Sequence, residues 1–200
     1  MGTNGLYGIR KNGIDKCTYN HFDSYPDCLG KKIVEFCNNN IENLEKFFDN
    51  IELVSENECP TDKQIEFCKA SGYADLSVST QNVDDWYCLL RNMQGNFEAY
   101  QMCIDNDNKI YMTDDIDFIK NSLFCEYAYI INLDDNVLEY YMGFQHSPQE
   151  NNRYGTEKYD FVNRPEFEYY PCKLSLTFPL NELYDVEQIV EAMNERSLDD

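Results

Sequence analysis

A chain of 200 residues with 42% hydrophobic and 14% aromatic side chains has the length and apolar content for one domain around one core, which excludes a wholly disordered chain. Its formal net charge of −21 repels a long polyanion and argues against direct binding to nucleic acid.

Chain order begins with Gly5–Arg10 and Ile14–Tyr19 on either side of Lys11-Asn12-Gly13. An Asn-Gly pair between two such runs predicts a β-hairpin. Pro26 opens a predicted helix with Asp23 or Ser24 as its cap, and Leu29, Ile33, Val34, Phe36 and Cys37 form its apolar stripe. Asn38-Asn39-Asn40 interrupts that helix, and a second from Ile41 to about Ile51 places Leu44, Phe47, Phe48 and Ile51 on one face. Pro60 to Lys63 starts a third, carrying Ile65, Phe67 and Cys68 and stopping at Ser71-Gly72. Trp86, Leu89, Leu90 and Met93 predict a helical stretch broken at Gly95, and Asn106-Asp107-Asn108 a turn. Asp114–Phe118 reads as a helix start with acidic first-turn residues.

A second hairpin is predicted from Phe124–Leu133 and Val137–Phe144 around Asp134-Asp135-Asn136, since both arms are rich in β-branched and aromatic residues. Residues 146–161 read as a surface loop, Lys173–Phe178 as a last strand, and Val186–Arg196 as a terminal amphipathic helix with Ser197–Asp200 fraying. The predicted fold class is α+β, a mainly antiparallel sheet with helices packed on it, in a single domain over residues 1–200.

Nine cysteines are an odd number, and pairs such as Phe36-Cys37 and Phe124-Cys125 place them among apolar neighbours, so they read as small buried hydrophobes of a reducing cytosol. With no Cys-x-x-Cys and two histidines, neither a metal nor a cofactor is expected. The acidic runs around Asp105, Asp114 and Asp134 lack the Gly and Glu positions of an EF-hand and read as solvated turns. No apolar run reads as a membrane span or as a secretory segment, so the expectation is a soluble cytoplasmic protein without membrane contact.

The candidate site is the run Thr18-Tyr19-Asn20-His21-Phe22-Asp23-Ser24-Tyr25-Pro26. Arg10, Lys11, Lys16, Lys31 and Lys32 outnumber Asp15, Asp23 and Asp27, which makes the first 33 residues cationic on an acidic chain. Amides at the start of the predicted helix, with Lys31 and Lys32, would favour a phosphate. His21 is then the candidate general acid or base, Asp23 orients its imidazole, and Tyr19 donates a hydrogen bond or stacks. Thr18, Asn20, Tyr25, Arg10 and Lys11 complete the predicted ligand contacts. A plainer reading makes Asp23 or Ser24 a cap, leaves His21 on a turn carbonyl, and puts Tyr19 and Phe22 in the core. Glycines 2, 5, 8 and 13 mark a bulge or a close backbone approach. His146, Ser147, Arg153 and Lys158 on the long loop would form a second recognition edge or lid, or be merely solvated.

Gly2-Thr3-x-Gly5, with Thr18 through Pro26 and Leu29-Gly30, resembles a group of short phage, prophage and bacterial proteins that begin Gly-Thr-Arg-Gly and continue Tyr-Asn-His-Phe-Asp-Ser-Tyr-Pro. Asn4 stands where that group frequently has Arg. The resemblance covers about the first thirty residues and implies a phage accessory role without a named reaction. The glycine-rich first strand is also similar to the class II amidotransferase layout, which implies a four-layer αββα sandwich like that of N-terminal-nucleophile hydrolases. Gly2 carries no nucleophile, so autoprocessing is not carried over.

Two functions follow as expectations. One is a counter-defence protein that binds a small nucleotide-derived immune signal, with hydrolysis of that signal left open. The other is an acidic interaction protein that presents carboxylates in place of DNA phosphates to a host protein.

Overall fold

The structure is a computed structural model that describes residues 2–78, 82–161 and 166–199. The first hairpin is as expected: β1 (Gly5–Lys11) pairs antiparallel with β2 (Ile14–Asn20). Asn12 and Gly13 both have positive φ, 54° and 76°, the backbone that a tight two-residue hairpin turn requires. Asp134 accepts both of their amides, at 2.5 and 2.9 Å.

The ribbon β3 (Ile51–Val54) and β4 (Ile110–Thr113) pairs in parallel, apart from the main sheet. The second hairpin forms β5 (Tyr127–Asn132) and β6 (Val137–Met142), followed by β7 (Lys173–Pro179). Among the described residues the main sheet has the order β2-β1-β5-β6-β7, antiparallel except where β1 and β5 run together. The fold is therefore α+β with a mostly antiparallel sheet.

Residues alternate cleanly between the two faces of this sheet. Tyr7, Ile9, Tyr129, Ile131, Leu138 and Tyr140 point to the main core, shared with the helices. Leu6, Cys17, Ala128, Ile130 and Tyr141 point to a smaller core closed by Ile119, Tyr154 and Cys172. That second face is covered by a 3-10 turn (Ile116–Lys120) and by chain following β6, rather than by a facing sheet. The four-layer sandwich is thus not confirmed. Gly8 marks a close approach: a Cβ there would lie 2.1 Å from the carbonyl oxygen of Lys16.

The helices depart from expectation at their ends. Pro26–Gly30 is a π-helical turn, and α1 (Lys31–Asn40) continues from it. Neither Asp23 nor Ser24 caps it; the preceding residue is Tyr25, with extended backbone and no side-chain cap. Asp23 is instead left-handed at φ 54°, and Ser24 is tied inward through its amide to Thr3 and its carbonyl to the Tyr129 hydroxyl. Asn38 and Asn40 do not interrupt α1, because their amides bond the carbonyls of Leu183 and Phe36. Ile41–Asn43 is a 3-10 turn, α2 spans Leu44–Asn50, and Ile51 belongs to β3 rather than to a helix.

Asp62–Ala70 forms α3 behind a Thr61–Gln64 capping box. Trp86–Leu89 is α4, Arg91–Met93 a 3-10 turn, and Phe97–Asn106 is α5, an element without a sequence expectation, started by Asn96 accepting the amide of Ala99. The last helix, α6 (Val186–Asp199), does not fray at Ser197: that hydroxyl bonds Met193 O at 2.8 Å and meets Tyr140 at 2.6 Å.

Both outer strands are met by side chains. Asp115 accepts the amide of Tyr19 and gives its own amide to Cys17 O on β2. The Gln149 carboxamide bonds both the amide and the carbonyl of Leu174 on β7.

Candidate functional site

β2 ends at Asn20, and the chain turns sharply before Pro26. The turn is built by Asn20, which is buried and whose amide donates to Phe22 O at 2.5 Å and to Ser24 Oγ at 2.8 Å. Asn20 is therefore a scaffold for His21 and Phe22, though it also borders the cleft beside them.

Tyr19 Oη lies 3.0 Å from Asn4 Oδ1 and 2.8 Å from His21 Nδ1. A phenol has one proton and an amide oxygen only accepts, so Tyr19 donates to Asn4 and accepts from His21 Nδ1–H. This bookkeeping leaves the lone pair on Nε2. Burial, with the nearby Tyr87 adding to it, pushes the Tyr19 phenol up to about 12, so it stays protonated as a donor. Burial first, and the Arg91 cation second, lower the His21 pKa below its ordinary value. The imidazole is accordingly neutral near pH 7.

Asp23 does not orient His21. Its carboxylate accepts from the Tyr25 hydroxyl at 2.7 Å, because the left-handed turn at Asp23 carries it toward the helix. Thr18 is buried against Thr113, 2.7 Å between hydroxyls, and shares Asp115 with it. Arg10 and Lys11 lie at the opposite end of the hairpin, roughly 20 Å along the strand from Asn20. They are committed there to Asp15 and Asp134, and to Glu45 and Asp49, respectively. They belong to a structural network and not to this site. The amides of Cys28, Leu29 and Gly30 are also taken, by the carbonyls of Tyr25 and Asp23. The helix start offers no cradle of those three amides to a phosphate.

The turn borders a cleft of about 650 Å³ whose walls include Phe22, Lys31, Lys32, Arg91, Gln94 and Gly95. Lys31 is held by Glu187. Among the described residues no carboxylate is within ion-pair distance of Lys32 or Arg91. Lys32 Nζ rests 3.4 Å from Gly95 O. The Arg91 guanidinium lies over the rings of Phe22 and Tyr87, 5.2 and 5.4 Å from their centroids, and donates to Gln94 Oε1 at 2.6 Å. These contacts set a cation beside an aromatic ring that is 54% exposed at Phe22. Asp23, Asp27, Glu35 and Asp75 also line the cleft, so it mixes cations with acceptors for hydroxyl or amino groups.

The sequence reading found Lys31, Lys32 and Asn20 but missed Arg91, Gln94 and Gly95, which are brought in from 59 or more residues away by the long connection between β2 and β5. Gly95 was visible only as a helix breaker. It has φ 64°, its amide donates to the buried Tyr7 hydroxyl at 2.9 Å, and a Cβ on it would lie 3.2 Å from Asn20 Oδ1. His21 does not itself line the cleft; its ring stands behind Phe22, with centroids 4.2 Å apart.

The loop bearing His146 makes its contacts elsewhere. His146 faces Glu168 O and the Tyr169 ring, Lys158 pairs with Glu168, and Arg153 reaches in to the buried Glu139. Among the described residues no group of three or more His, Cys, Asp or Glu is placed to hold a metal ion, and no helix is long and apolar enough to cross a membrane. No family model, curated protein or solved structure matches this chain.

Proposed function

We propose that this chain binds and sequesters a small nucleotide-derived anion, in the manner of a phage-type counter-defence protein acting on an immune signal in the host cytosol. The observation that carries the reading is Arg91: a cation with no carboxylate within ion-pair distance among the described residues, set over Phe22, 5.2 Å from the ring centroid, in a cleft that also contains Lys32. A phosphate beside Arg91 and Lys32 and a base against Phe22 would use both features. Sequestration is favoured over hydrolysis because His21, the one strong candidate base, stands behind Phe22 rather than in the cleft wall.

Calorimetric titration with cyclic di- and trinucleotides, adenosine monophosphate and ADP-ribose derivatives, followed by chromatography of the mixtures, tests this directly. Saturable binding with the ligand recovered intact is the expected result. Silence across the panel overturns the binding, and product formation overturns sequestration in favour of catalysis.

A further inference from the structure

The cleft has a second compartment. A hollow of about 670 Å³ lies on the far side of Lys32, Gln94 and Gly95, walled by Phe36, Asn39, Phe97, Glu98 and Gln101. Lys32, Glu35, Gln94 and Gly95 line both hollows, so the two are one trough divided by a low ridge. Each compartment falls within the roughly 300–1,000 Å³ that encloses one drug-sized molecule, and the pair is oversized for a single nucleotide.

The chemistry repeats on each side of the ridge. Phe22 supplies an exposed ring in the first hollow; Phe97, half-buried, supplies one in the second and is braced by Tyr7, Phe36 and Tyr100 at centroid distances of 5.2–5.5 Å. On the ridge between them sits Lys32, with the Glu35 carboxylate one helical turn further along. Beside it, Gln94 has given its oxygen to Arg91 and keeps its amide protons to donate. Aromatic faces outside and cation with amide donors between is the complement of two nucleosides joined through phosphate.

We infer that the ligand is a dinucleotide-type anion that straddles the ridge, one nucleoside in each hollow and the bridging phosphate against Lys32. This rests on the reading that the cleft binds nucleotide-derived anions, and it names the class. Filling both hollows makes the second contact intramolecular, which multiplies affinity rather than adding to it.

The test compares adenosine monophosphate with cyclic and linear di-adenosine dinucleotides, by calorimetry, on the wild type and on Asn39→Trp, which plugs the second hollow from an exposed helix position. The dinucleotide is expected to bind at least about tenfold tighter than the mononucleotide, and Asn39→Trp to erase that margin, so that the variant binds both probes alike. A dinucleotide that binds no tighter, or a margin that survives the plug, overturns the two-hollow assignment while the binding reading stands. Binding of neither probe overturns both. Circular dichroism of the variant confirms its fold, and Asn39→Phe repeats the plug with a smaller ring.

Discussion

The hydroxyl of Tyr7 on β1 meets the hydroxyl of Tyr100 on α5 at 2.5 Å, deep in the core, and the Gly95 amide joins them at 2.9 Å. Both phenols also face Met93 O, at 3.3 and 3.1 Å. One strand of the sheet thereby fixes the segment that forms the ridge of the cleft. Tyr7→Phe keeps the ring but strands the Gly95 amide, and the loss of a buried partner costs about 1–3 kcal/mol. A fall in melting temperature of about 3 °C for each kcal/mol is expected by calorimetry, together with faster amide exchange at Gly95. Unchanged exchange at Gly95 would remove Tyr7 from this role.

The binding reading separates the residues of the turn. Arg91→Ala removes both the cation and the plate behind Phe22, and ligand affinity is expected to fall about tenfold to a hundredfold, the worth of one charge-assisted contact or one stacked base. His21→Gln, which retains a hydrogen bond to Tyr19 without titrating, is expected to leave affinity within about threefold of wild type, well under the 1.4 kcal/mol that a tenfold change represents. If the two variants lose affinity equally, the imidazole belongs inside the site.

His21 gives a pH signature. Its folded pKa lies below the unfolded value, through burial and then Arg91, so between those two values the unfolded chain binds more protons than the native one. Stability therefore rises with pH across that window and is lost as pH falls through it. Proton NMR of the imidazole is expected to show a midpoint below about 6.5. Arg91→Gln moves that midpoint up without restoring it fully, because burial is the larger cause. A midpoint unmoved by Arg91→Gln would separate the two groups electrically.

Arg153 grips Glu139 with two bonds, 2.9 and 2.5 Å, and Glu139 is almost completely buried, also accepting from Asn132 and Tyr141. Arg153→Met leaves that carboxylate without its cation. The expected loss is about 3 kcal/mol, since breaking one side of a buried pair leaves an uncompensated charge. Limited proteolysis should then cut first within residues 143–161, which Arg153 fastens to the sheet. A variant as stable and protease-resistant as wild type would contradict this.

Both hairpins and the last strand were legible because their signals are local: Asn12-Gly13 at one turn, Asp134-Asp135-Asn136 at the other, and alternation from Lys173 onward. The four-residue strands β3 and β4 were not, since each is too short to show a period and exists only through the other. α5 was hidden behind Gly95, although Phe97, Tyr100 and Ile104 do share a helical face. At the site, Lys31 and Lys32 could be read from proximity in sequence. Arg91 could not, because what makes it a candidate is the aromatic ring beneath it, supplied from 69 residues away by Phe22. The carboxylate of Asp23 misled for the opposite reason: two residues from His21 in sequence, it is turned away by one positive φ.

The side chains that meet the outer strands bear on how the molecule behaves when crowded. A sheet with bare margins invites other chains to lengthen it, the first step toward fibrils. Here Asp115 occupies backbone positions on one margin and Gln149 imitates a neighbouring strand on the other. An incoming strand would have to displace a bonded carboxylate or a doubly bonded carboxamide before its first rung could form. With the mutual repulsion of a −21 charge, this works against a tyrosine-rich sheet templating its own aggregation.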